Sequence, residues 1–228
     1  MPFALDTHVV CTALIDGGDL FWNEWVAFDE AETAPRFVPR AAYDELQRVV
    51  EGLGQSTSGR LREILTDTAR AIWRSDPARP DSAMVSRLGP THNRAGRVER
   101  MLSFLDQALG ENWDSGRARS LLRQMELDYT VRKKSFFDKH EVFEPVDPVQ
   151  VEKIAASLAT VVPSSSPNGS WAEDCLIISQ SAAYGIERGC GVELVTQDDR
   201  HIHANAVEIL KRSGLDSIRD LSGKKRTP

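Results

Sequence analysis

The feature that most constrains this chain is an alternation. The short apolar runs PFAL, RFVP, HEVF and VELVT are each followed by a longer stretch with helical spacing. The runs are bounded by proline, glycine or charged residues and are too short for helices, so they read as strands. In the stretches between them, Ala42, Leu46, Val49 and Leu53 share one helical face, as do Val151, Ile154, Ala155 and Leu158. Strands separated by helices cannot pair through tight hairpins, and the crossovers favour parallel pairing. The expected class is α/β, with a mostly parallel sheet covered by helices on both faces. GVELVTQDD is the clearest strand, and DSIRDL is a candidate last one.

Between residues 54 and 138 the alternation stops. Leu61, Ile64, Leu65, Thr68 and Ile72 mark one helix, and two more are expected at 97–109 and 115–137. The three prolines of residues 75–96 suggest a long loop. The organisation expected is therefore an α/β domain over 1–53 and 139–220, a helical insertion at 54–138 and a flexible basic tail at 221–228. The insertion carries 15 Lys and Arg against 11 Asp and Glu, whereas the rest of the chain carries 13 against 23. A net charge of −6 argues against a protein that simply coats nucleic acid. There is no run of 18 apolar residues, no secretory signal and no paired cysteine motif among Cys11, Cys175 and Cys190. A cytoplasmic protein with no membrane association is expected, and the Asn168-Gly169-Ser170 sequon is taken as coincidence.

In open parallel sheets, functional residues gather beyond the carboxyl ends of the strands. Asp6 follows FAL, and Asp198 follows VELVT with Asp199 beside it. Glu45 lies on the helix after RFVP, and Asp174 lies near the start of the long helix in WAEDCLII. Each acid has a plain alternative: a helix cap, a solvent-facing helix residue or a turn residue. If they converge, carboxylates about 4 Å apart repel by roughly 4 kcal/mol at an effective dielectric near 20, so the cluster takes up protons or binds a cation. Oxygen donors suit Mg²⁺ or Mn²⁺, ions that support metal-assisted hydrolysis of nucleic acid.

FALDTHVV, VPRAAYDEL, AEDCLIISQSAAYG and ELVTQDDRHI resemble, in order, the successive motifs of the PIN domain nucleases. The resemblance implies a three-layer α/β/α sandwich and endonucleolytic hydrolysis of single-stranded RNA by activated water, leaving 5′-phosphate and 3′-hydroxyl ends. It implies catalytic Asp6, Glu45, Asp174 and Asp198, with Asp6, Asp174 and Asp198 holding Mg²⁺ or Mn²⁺. Thr196 matches the supporting hydroxyl of the last motif, and Thr7, His8 and Asp199 are further supporting candidates. His8 stands where the family usually has Asn. The enlarged middle also departs from the toxin-type members. A toxin-type enzyme with an antitoxin partner, an RNA-processing enzyme and a homodimer are all compatible with the motifs. The alternative is a catalytically weak PIN-like scaffold that binds RNA or a protein. A haloacid-dehalogenase-type phosphatase would need a second Asp two residues after the first, where His8 stands.

In the insertion, Arg123, Arg132, Lys133 and Lys134 are candidates for RNA phosphates, with a solvated helix face as the equal alternative. Phe136 and Phe137 could stack bases or belong to the core. Trp73 and Trp113 are candidate buried anchors. His201 and His203 have a spacing open to a metal, but a helix-start or surface position is expected for them.

Overall fold

The computed structural model describes residues 1–14, 22–51, 60–87, 92–110, 112–162, 171–198 and 201–221. Its five strands are β1 (Phe3–Leu5), β2 (Arg36–Pro39), β3 (Glu141–Phe143), β4 (Glu193–Thr196) and β5 (Ser217–Asp220). They form one sheet in the order β3-β2-β1-β4-β5, and every pair is parallel. Helices flank the sheet, giving the expected α/β/α sandwich. The first two strands are short because helices follow them closely: α1 (Thr7–Leu14) begins two residues after β1, and α3 (Arg40–Glu45) begins at the end of β2.

Strand alternation sends neighbouring residues to opposite faces. On one face Phe3 meets Phe28 of α2 (Trp22–Ala31) edge to face, with centroids 5.1 Å apart. On the other, Phe37 stacks on Tyr184 of α9 (Trp171–Arg188) at 3.8 Å and 9°. The fully buried Leu5, Phe37, Ile177, Ile178 and Leu194 each contribute about 1.5–3 kcal/mol by leaving water. The long helix α9 also packs against α3 and against α8 (Pro148–Leu158), which in turn packs on α10 (Ala206–Ser213). Small buried residues on α9, Ser179, Ser181, Ala182, Ala183 and Gly185, permit this close packing. The Ser179 and Ser181 hydroxyls are satisfied by donating to the carbonyls of Cys175 and Ile177, at 2.6 and 2.7 Å.

The chain divides into two compact units. One comprises Met1–Ala13, Phe21–Leu46 and Phe136–Pro228, and holds the sheet. The other comprises Leu14–Leu20 and Gln47–Ser135. The second contains α4 (Arg60–Ser75), α5 (Ser82–Ser86), α6 (His92–Leu109) and most of α7 (Ser115–Lys139). Its core includes Leu65, Ile72, Val98, Leu102, Leu105 and Leu122, with Trp113 packed against it. Trp73 is 69% exposed and lies outside that core.

Local structure departs from sequence expectation in three places. Helix α2 occupies residues for which the sequence pattern gives no expected element. Helix α5 interrupts the expected loop, because Asp81 caps it by accepting from the Met84 N–H at 2.6 Å. After Glu45 the backbone widens into a π-helical turn, Leu46–Val50. Phe136 is buried beside Trp25 and belongs to the core, whereas Phe137 is only partly buried and packs edge-on against Tyr43. Residues 222–228 of the expected tail lie outside the described residues. Among the described residues, no helix is long and apolar enough to cross a membrane.

Candidate metal centre

The strand order reverses at β1. The strands β2 and β3 lie to one side of it, and β4 and β5 to the other. A crevice is expected at such a switch point, beyond the carboxyl ends of β1 and β4. Asp6 is the first residue after β1, and Asp198 is two residues past β4. The Thr196 hydroxyl joins them: it donates to Asp6 Oδ2 at 2.6 Å and accepts from the Asp198 N–H at 3.0 Å. The Asp6 N–H donates to the Val195 carbonyl at 3.1 Å, which fixes the end of β1 against β4.

Thr7 makes the next connection. Its buried hydroxyl donates to Glu45 Oε2 at 2.6 Å, so the carboxylate that ends α3 is turned toward the start of α1. Helix α3 is itself tied to α9, where Gln180 Oε1 accepts from the Ala41 N–H at 2.8 Å. Asp174 comes from the first turn of α9, where the helix dipole favours an anion. Its Oδ2 lies 3.3 Å from His201 Nδ1, and Asp198 Oδ2 lies 3.7 Å from the same nitrogen. Among the described residues, Asp174, Asp198 and His201 bring one ligand atom each within 4.8 Å of one another, and the group could hold a metal ion.

The charges respond to this crowding. Burial pushes the Asp174 carboxyl up, and Asp6, Asp198 and Glu45 push it further, to about 8. Glu45 is also raised, by burial first, with Asp6 and Glu173 adding to it against the Thr7 hydrogen bond and His8. Asp6 behaves differently. Burial alone would raise it, but His8, the Thr196 hydroxyl and the Thr7 backbone together hold it below the usual carboxylate range. His8 is raised to about 9, chiefly by Asp6, although its ring is 58% exposed and solvent screens the pair. The acids therefore share one electrostatic environment, although they come from four separate segments of chain.

The residues read from the sequence are distributed as follows. Asp174 and Asp198 belong to the three-residue group. Asp6 and Glu45 are outside it and are coupled to Asp174 through charge. Thr7 and Thr196 supply the hydroxyls that orient the acids, and His8 stands at the exposed side of Asp6. Asp199 lies outside the described residues. His201 was expected at a helix start or on the surface. It does stand at a helix start, in the turn before the 3-10 helix His203–Asn205, but its side chain is only 17% exposed and directed at two carboxylates. The signal for it was the Asp-x-x-His spacing after the strand: the Asp198 side chain accepts from the His201 N–H at 2.7 Å and turns the chain back.

The four cations expected to meet RNA do not form one exposed stripe. Arg123 and Lys134 are exposed on α7. The Lys133 ammonium instead pairs with Glu51, which also accepts from the Tyr129 hydroxyl. Arg132 lines a cavity of about 110 Å³ together with Leu14, Leu61, Phe104 and Met125. No family model, curated protein or solved structure matches this chain.

Proposed function

We propose that the chain is a metal-dependent endoribonuclease of the PIN type, cleaving single-stranded RNA with Mg²⁺ or Mn²⁺. The observation that carries this is the gathering of Asp6, Glu45, Asp174 and Asp198 at the switch point, where burial and mutual repulsion raise Asp174 to about 8. A site that holds so many acids against their own repulsion has a use for a cation. The donor set fits one: two carboxylates and an imidazole within 4.8 Å of one another. Asp174, Asp198 and His201 would hold the ion. Bound there, it would supply positive charge for a phosphodiester and acidify water.

The chain's own groups do the rest. The Thr196 hydroxyl fixes Asp6 and orients the turn that carries Asp198. Glu45, oriented by Thr7 and with a raised carboxyl, is placed to take a proton from attacking water. His8, beside Asp6 and half open to solvent, is placed to meet a phosphate oxygen.

The test is cleavage of end-labelled single-stranded RNA by wild type and Asp6→Asn, with Mn²⁺ and with Mg²⁺. Wild type is expected to shorten the RNA only with metal, and Asp6→Asn to lose about 10²-fold or more in rate while keeping its circular dichroism. Cleavage by Asp6→Asn at the wild-type rate would end the proposal. Retardation of RNA without cleavage in either ion would favour the binding-scaffold alternative.

A further inference from the structure

His201 sits where a ligand would sit. We infer that His201 is a nitrogen ligand of the metal centre, so that the site favours Mn²⁺ over Mg²⁺. The inference rests on the metal-centre reading above and adds what a nitrogen donor does to the choice of ion.

Geometry supports it first. Donors bound at about 2.1 Å to one octahedral ion stand about 3.0 Å apart when adjacent and about 4.2 Å apart when opposite. His201 Nδ1 lies 3.3 Å from Asp174 Oδ2, near the adjacent spacing, and 3.7 Å from Asp198 Oδ2, between the two spacings, and the three ligand atoms lie within 4.8 Å of one another. The backbone that carries the ring is also held in place. The His201 N–H donates to Asp198 Oδ1 at 2.7 Å, and the His201 carbonyl accepts from Asn205 Nδ2 at 2.8 Å. The His203 N–H donates to the Asp198 carbonyl at 3.0 Å, and Ile202 between the two histidines is fully buried. Trp171 packs edge-on to the imidazole, with centroids 6.2 Å apart. Asp198 thus divides its oxygens: Oδ1 shapes the turn and Oδ2 faces the ring.

Chemistry gives the direction of the preference. Mg²⁺ is a hard ion that takes oxygen and keeps its waters. Imidazole is a ligand for softer divalent ions, and Mn²⁺ accepts nitrogen alongside carboxylate. A centre with His201 as one of three protein donors favours the second kind. If the imidazole serves only as an internal partner for the two acids, it contributes nothing to this selectivity.

The experiment uses the full chain, stripped with chelator and then titrated with Mn²⁺ alone or Mg²⁺ alone, as wild type and as His201→Gln. Gln keeps an oxygen donor of similar reach and removes the nitrogen. The expected result has two parts. The electron spin resonance of Mn²⁺ on wild type shows nitrogen coupling that His201→Gln lacks. In parallel, His201→Gln loses about tenfold or more in Mn²⁺ affinity while Mg²⁺ affinity stays within about twofold. Wild-type Mn²⁺ without nitrogen coupling would overturn the inference, and that measurement does not require the variant to fold. Equal loss of both ions in a folded variant would also overturn it. Nitrogen coupling in a protein that leaves RNA intact keeps His201 as a ligand and removes only the ribonuclease proposal.

Discussion

The Thr196 hydroxyl is a single group that both donates to Asp6 and accepts from the Asp198 backbone, with no exposure to solvent. Valine has nearly its shape and neither hydrogen bond. Thr196→Val is therefore expected to cost about 1–3 kcal/mol in urea unfolding, because two buried polar groups lose their partner. A variant as stable as wild type would show that the hydroxyl is not what holds the two strand ends together. His140 gives a second test, away from the centre. Its ring packs edge-on to Phe136 at 4.5 Å, and burial, with Arg36 second, lowers its pKa below 6.5. The unfolded chain takes up a proton that the folded chain resists, so this contribution to stability is present above pH 6.5 and is lost as pH falls below it. His140→Phe is expected to flatten the decline between pH 6.5 and the onset of carboxylate protonation, read as unfolding free energy against pH. At this scale Asp6 and Asp174 were legible because one follows a strand and the other opens a helix, and Thr196 was legible only through the motif resemblance. His201 was not, because its position depends on a turn that the Asp198 side chain makes.

Among the elements, α9 couples the fold most closely to the site, since its first turn carries Asp174 and its middle lies on the sheet. Gly185 lies in that helix, where a Cβ would stand 2.8 Å from the Cys190 carbonyl oxygen. Alanine is the better helix former by about 1 kcal/mol, but the obstruction is backbone and cannot swing aside. Gly185→Ala is expected to be a net loss of about 1–2 kcal/mol in thermal unfolding, and a gain would mean that the turn after α9 yields easily. The strands and the amphipathic α8 were legible from period and punctuation. Helix α5 was not, since it is only five residues long and rests on the Asp81 cap, and prolines on either side mask so short a signal.

For the whole molecule, alternation announced a parallel sheet but could not order it. Nothing local in VELVT says that β4 pairs with β1 on the side away from β2, yet that choice creates the switch point and brings Asp6 to Asp198. The second unit shows the same limit in another form. Charge counting found its basic residues, but Lys133 is paired with Glu51 and Arg132 lines a cavity, and only the folded contacts distinguish these from the exposed Arg123 and Lys134. The proposed function needs one cation held by side chains from distant parts of the chain. The most direct test is thermal unfolding of chelated wild type and Asp174→Asn, with and without Mn²⁺. Wild type is expected to gain about 2.7 kcal/mol at about 100 times its dissociation constant. Asp174→Asn, spared the cost of holding an acid whose ionisation burial and its neighbours oppose, is expected to be at least as stable without metal and to gain little with it. Equal stabilisation of both proteins by Mn²⁺, or of neither, would contradict the account.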